Sequence, residues 1–248
     1  MRLLLINPNT TEGLTDRLMA SAQAVLAPGT RLDAVTAPRG VPYISTRTEA
    51  VIGGLSVLET LAERHRDYDG AIVAAFGDPG LGAARELFDI PVVGLAEAGM
   101  LTACMLGGKF SIVTFASALG PWYDECLRWN RLEQRCASIR TLDQAFRSIT
   151  EVQEEKCDLL CDLALQAVQE DGADVIVLAG APLAGLAQIV RNRLPVPVVD
   201  CPQAAVKQLE ALVALNPAPA TAGSFRRPAA KPSVGLGALL ATRIAGGD

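Results

Sequence analysis

The chain has 248 residues, half of them apolar and a fifth charged, with a net charge of −5. That is a globular composition, long enough for one large or two small domains. Lysines and arginines are scattered through an acidic chain, so nucleic acid is excluded as a partner. No run of about 18 apolar residues free of charges or breakers occurs, which argues against a membrane span.

The opening MRLLLINPNT turns polar after four apolar positions, so it reads as a first strand and not as a secretory signal. Without such a signal the six cysteines, at 104, 126, 136, 157, 161 and 201, are expected as reduced thiols of a cytoplasmic protein. With one histidine and no second pair of cysteines at zinc spacing, no metal site is expected.

Short apolar runs alternate with longer amphipathic stretches, the pattern of a parallel sheet flanked by helices. In chain order the predicted strands are 2–7, 32–36, 70–75, 91–95, 110–115, 138–142, 173–179 and 197–200. Helices are predicted over Thr11–Leu26, Glu49–Arg66 and Ser148–Glu170, among others. From Asn216 the chain becomes rich in proline, alanine and glycine, which predicts an irregular strap over 216–248 closed by a short helix.

The strands fall into two groups of four, and the groups match. Residues 69–98 and 174–204 share one plan: strand, small-residue turn, Gly-Leu, helix, Pro-Val-Val, helix. Gly80-Leu81 and Gly185-Leu186 lie 105 residues apart, an internal duplication of two α/β halves, 1–98 and 99–215. Ligands of open α/β sheets bind at the carboxyl ends of the strands. The site is therefore expected in the loops after both groups.

Those loops supply the candidates. Asn7, Asn9 and Thr10 in INPNTT follow the first strand and offer amides and a helix N-terminus to a polar ring or an anion. FGDPGL contributes Phe76, Gly77 and the capping candidate Asp78; it matches neither glycine-rich nucleotide loop. Its second copy, around Gly180, Ala181 and Pro182, has no ionisable side chain but offers backbone amides to developing negative charge. Tyr43, Ser45 and Arg47 follow the second strand, and Thr114 and Ser117 follow the fifth. Trp122 and Tyr123 are candidate cleft walls. Glu97 and Cys201 stand just past the fourth strand of each half, as possible proton-transfer groups.

INPNTT, FGDPGL and the repeated Gly-Leu plan together resemble the hydantoin racemase branch of the aspartate/glutamate racemase superfamily, which includes allantoin racemases. The resemblance runs from residue 1 to about 215. It implies two pseudo-symmetric flavodoxin-like halves, each a four-stranded parallel sheet flanked by helices. It also implies a cofactor-independent cleft between them, a small-molecule substrate and a homo-oligomer.

In that family two cysteines face the stereocentre, one removing the α-proton and the other returning one to the opposite face. The resemblance places the first directly before FGDPGL, where this chain has Ala75, and the second at Gly180. Neither residue exchanges protons. If the chain is active, a substitute must come from Cys201, Glu97 or Asp78. A remodelled racemase, an inactivated variant and a non-catalytic binding relative all remain open.

Overall fold

The computed structural model describes residues 1–247. The final residue of the predicted strap lies outside the described residues.

The first half runs β1 (Arg2–Asn7), α1 (Glu12–Gln23), β2 (Arg31–Thr36), α2 (Arg47–Arg64), β3 (Gly70–Val73), α3 (Leu81–Leu87), β4 (Val92–Gly94) and α4 (Leu95–Leu106). The second runs β5 (Phe110–Thr114), α5 (Gly120–Asn130), β6 (Cys136–Thr141), α6 (Val152–Asp171), β7 (Val175–Leu178), α7 (Leu186–Val190), β8 (Val198–Asp200) and α8 (Cys201–Leu215). A last helix, α9 (Ala238–Ile244), follows the strap.

Both sheets are four-stranded and fully parallel, in the orders β2-β1-β3-β4 and β6-β5-β7-β8. Strands covered on both faces need continuous apolar runs. Leu3 to Ile6 in β1 and Phe110 to Val113 in β5 are accordingly buried throughout. All eight predicted strands are present, with ends shifted by one or two residues.

All three named helix starts differ from expectation: α1 begins at Glu12, one residue after its N-cap Thr11, and the other two shift for a local reason. α2 begins at Arg47, not Glu49, because Thr46 and Glu49 form a capping box, which leaves Glu49 inside the first turn. α6 begins at Val152, not Ser148. Residues 148–151 form a separate turn, closed by Glu151 N–H on Ser148 C=O at 3.1 Å, and Arg17 takes the Thr150 carbonyl at 2.7 Å.

The last helix of each half joins the two. α4 packs on β7 and β8 of the second sheet, α8 packs on β3 and β4 of the first, and the two helices pack on each other. Close approach needs Gly99, where a Cβ would lie 2.7 Å from Cys201 Sγ. The Gln208 amide donates across the contact to Ala98 C=O and Thr102 Oγ1, both at 2.9 Å.

Residues 216–237 are irregular, as the composition predicts, but α9 docks firmly on α2. No described helix is long and apolar enough to cross a membrane.

Candidate active site between the two halves

Equivalent turns from the two sheets build the floor of one cavity. After β3, Ala74 N–H stays on the Ile6 carbonyl at 2.8 Å, and Asp78 N–H then closes a turn on Ala75 C=O at 3.0 Å. After β7, Ala179 N–H bonds Val113 C=O and Leu183 N–H bonds Gly180 C=O, both at 2.9 Å. These are equivalent bonds: Ala74, Ala75 and Asp78 correspond to Ala179, Gly180 and Leu183 at a spacing of 105, and Ile6 to Val113 at 107.

Backbone bonds thus fix Ala75 and Gly180 as related positions, and both line a cavity of about 30 Å³. Asn9, Tyr43 and Phe76 join Ala75 on the first-half side; Phe115, Tyr123, Ala181 and Pro182 join Gly180 on the second. Phe76 and Tyr123 hold the halves together, with ring centroids 4.5 Å apart. The N–H groups of Phe76 and Ala181 make no backbone hydrogen bond among the described residues. Free turn amides of this kind form anion-binding concavities.

Among the described residues no charged side chain lines the cavity. Tyr123 brings a phenol whose pKa burial raises far above the ordinary range, so it stays protonated. Gly180 has φ of +110°, and a Cβ there would lie 2.9 Å from Phe115 Cε1 and 3.5 Å from the Tyr123 hydroxyl.

The other predicted residues divide into supports and outliers. Asn7 is fully buried and works inward: its amide donates to Asn9 Oδ1 at 3.1 Å and Thr15 Oγ1 at 2.9 Å. Asn9 Oδ1 also accepts from Thr11 N–H at 2.9 Å, so this network shapes the loop that brings Asn9 to the wall. Thr10 is held by its backbone to Val41 C=O at 3.0 Å and does not line the cavity. Thr114 donates to Ala179 C=O at 2.9 Å, fixing the second turn to β5. The Trp122 indole packs on Gly77, leaving no room for a Cβ.

Ser45, Arg47 and Ser117 face other partners. Ser45 binds Glu49, Arg47 pairs with Glu125 (Nε to Oε1, 2.8 Å) on an exposed surface, and Ser117 donates to Asp143 at 3.1 Å.

The three substitute proton-transfer candidates lie outside the cavity lining. Asp78 turns beneath its own loop and accepts from the N–H groups of Ala96 and Glu97, both at 2.8 Å, where α4 begins. Burial pushes its carboxyl up to about 7. Glu97 forms an ion pair with Arg85 (Nη1 to Oε1, 3.1 Å). Cys201 donates its thiol to Leu178 C=O at 3.3 Å, and burial raises its pKa well above the usual thiol range. A thiol so placed is an inert core group.

Sequence reasoning missed Phe115, which follows β5 directly, and Leu14, Ile44 and Leu119, which complete the apolar wall. It also missed Phe146, whose ring meets both Tyr43 and Phe115. No motif marks these residues. Among the described residues no group of three or more His, Cys, Asp or Glu is arranged to hold a metal ion.

Comparison with known proteins places this architecture. The family model described as Asp/Glu/Hydantoin racemase matches residues 3–209. The hydantoin racemase of Paenarthrobacter aurescens is 36% identical over 233 residues, covering 93% of this chain and 99% of its own. That of Pseudomonas sp. (strain NS671) is 30% identical, covering 95% of each. The solved allantoin racemase from Klebsiella pneumoniae superposes with a TM-score of 0.91 at 37% identity, over 97% of this chain and 98% of that one. Arylmalonate decarboxylase shares the fold alone, with a TM-score of 0.59 at 18% identity over 86% of this chain and 92% of its own. The chain belongs to the Asp/Glu/hydantoin racemase family.

Proposed function

We propose that the chain carries out chemistry of the hydantoin/allantoin racemase type, loss and return of a proton at the acidic carbon of a small ureide or carboxylic derivative, without the two-thiol relay. The observation that carries this reading is the pairing of Ala75 and Gly180 in one cavity, at equivalent turns with free amides. These are the two positions at which the resemblance leads one to expect the family's thiols.

Without a side-chain base, what remains is electrostatic. The N–H groups of Phe76 and Ala181 polarise the carbonyl next to the acidic carbon and stabilise the enolate, while water exchanges the proton. One such donor is worth on the order of 10²–10³ in rate. An aromatic lining with no cation suits an uncharged ring better than a free amino acid, whose carboxylate and ammonium would both lose water without a counter-charge.

A second reading, a binding relative that performs no reaction, is favoured by the lack of any ionisable carboxylate, imidazole or thiol along the cavity. Incubation with hydantoins and allantoin in deuterated buffer separates the two. Exchange of the α-proton at least tenfold above buffer supports catalysis; binding with exchange at the buffer rate supports the second reading, and absence of binding removes the ureide class.

The proposal includes a cytoplasmic homo-oligomer, supported by six unpaired cysteines and by the exposed apolar residues Leu101, Met105 and Leu106 on α4. A monomer in sedimentation would remove the oligomer from it.

A further inference from the structure

The cavity between Ala75 and Gly180 measures about 30 Å³. That holds one or two water molecules, far below the ~300–1,000 Å³ of a ligand pocket. The site as it stands is too small for a ligand, and some part of its wall must move before one seats on the floor.

The aromatic contacts identify that part. Tyr43, in the loop between β2 and α2, meets Phe146 edge to face at 6.3 Å between centroids. Phe146, in the loop between β6 and α6, meets Phe115 in the same manner at 5.6 Å. Tyr43 and Phe115 line the cavity from opposite halves, and Phe146 is the ring that bridges them from outside.

Its loop, residues 142–151, has no regular secondary structure. Bonds hold it on both sides of Phe146: Leu142 N–H on Thr114 C=O and Asp143 with Ser117 before it, Arg147 with Glu155 and Thr150 with Arg17 after it. Gln144 accepts from Lys156 at 3.5 Å, and Ala145 and Phe146 make no hydrogen bond among the described residues; Phe146 is held by its two ring contacts and by packing against the core. Edge-to-face ring contacts add only modestly to area burial, so no hydrogen bond has to break for the Phe146 ring to leave Tyr43 and Phe115.

We propose that Phe146 is the latch of an aromatic gate, closing the cleft by joining Tyr43 of one half to Phe115 of the other, and so controls which molecules reach Ala75 and Gly180. The proposal needs no ureide to be the ligand.

The test places a reporter thiol on the floor by Ala75→Cys and follows its alkylation by iodoacetamide, with peptide mass spectrometry resolving each cysteine. Alkylation at position 75 is expected to be slow with Phe146 intact and at least tenfold faster after Phe146→Ala, with Phe146→Leu between them. Rates within twofold of one another in all three backgrounds would overturn the gate. Cys201, buried under Gly99, reports folding. If it too becomes reactive in the alanine variant, the Phe146→Leu and Tyr43→Ala variants decide by the same criterion. Because no ureide enters the assay, failure of the ureide reading and failure of the gate are separate results.

Discussion

Phe115 fills the space that a side chain at Gly180 would need: its Cε1 lies 2.9 Å from the Cβ position there, and the glycine has φ of +110°. The second turn is built around a glycine, in space and in backbone conformation. Ala75 differs, since its Cβ already faces the cavity and its φ is not positive. Ala75→Cys is expected to change stability by no more than about 1 kcal/mol. Gly180→Cys should cost about 1–3 kcal/mol for the backbone alone. Denaturant titration of the two single variants measures the difference. The double variant is expected to gain little racemisation, whereas a merely inactivated racemase would recover it.

Asp78 joins the first turn to α4, and Gly94 is what lets it do so: a Cβ at Gly94 would overlap the carboxylate. The second half makes the same junction from the other side, with Asp200 at the start of α8 accepting Gly185 N–H at 2.6 Å. Burial raises the carboxyl pKa at both sites. For Asp78, raised from 3.8 to about 7, the folded chain binds the proton more tightly than the unfolded chain. Its contribution to stability is therefore full below about pH 4 and is lost as pH rises through about 7. The stability gap between wild type and Asp78→Asn should narrow over that window. Asp200 is common to both proteins and cancels. A gap that widens with pH would show the carboxyl to be held low.

The strap is anchored by one buried cation. Arg243 donates to Leu87 C=O at 2.8 Å, pairs with Asp89 at 2.6 Å and lies over the Phe88 ring. Arg243→Ala is expected to cost about 1.5–3 kcal/mol, the range of a lost charged hydrogen bond, since its partner Asp89 is half exposed. Limited proteolysis should then cut within 216–237 sooner than in the wild type.

Much of this was legible in the sequence because it is local or repeated. Apolar runs mark both sheets, and the 105-residue echo pairs Ala75 with Gly180 before any coordinate is known. Direction was not legible. Asp78, Glu97 and Cys201 all stand near strand ends, yet which way each turns depends on partners in another segment: Ala96 for the first, Arg85 for the second, Leu178 for the third. Phe115 and Phe146 carry no motif, since their contact joins loops some 30 residues apart. Arg243 sits in the short helix predicted to close the strap, where nothing in the sequence marks it as the anchor.

A ligand is expected to rest between Ala75 and Gly180 on backbone amides, with no side chain exchanging its proton. A crystal structure with a bound hydantoin tests this most directly. The account predicts a ring carbonyl oxygen about 2.7–3.1 Å from the Phe76 or Ala181 nitrogen, and the acidic carbon facing Ala75 and Gly180 with only water beside it. A cysteine, carboxylate or imidazole in contact with that carbon, or a ligand seated elsewhere, would contradict it.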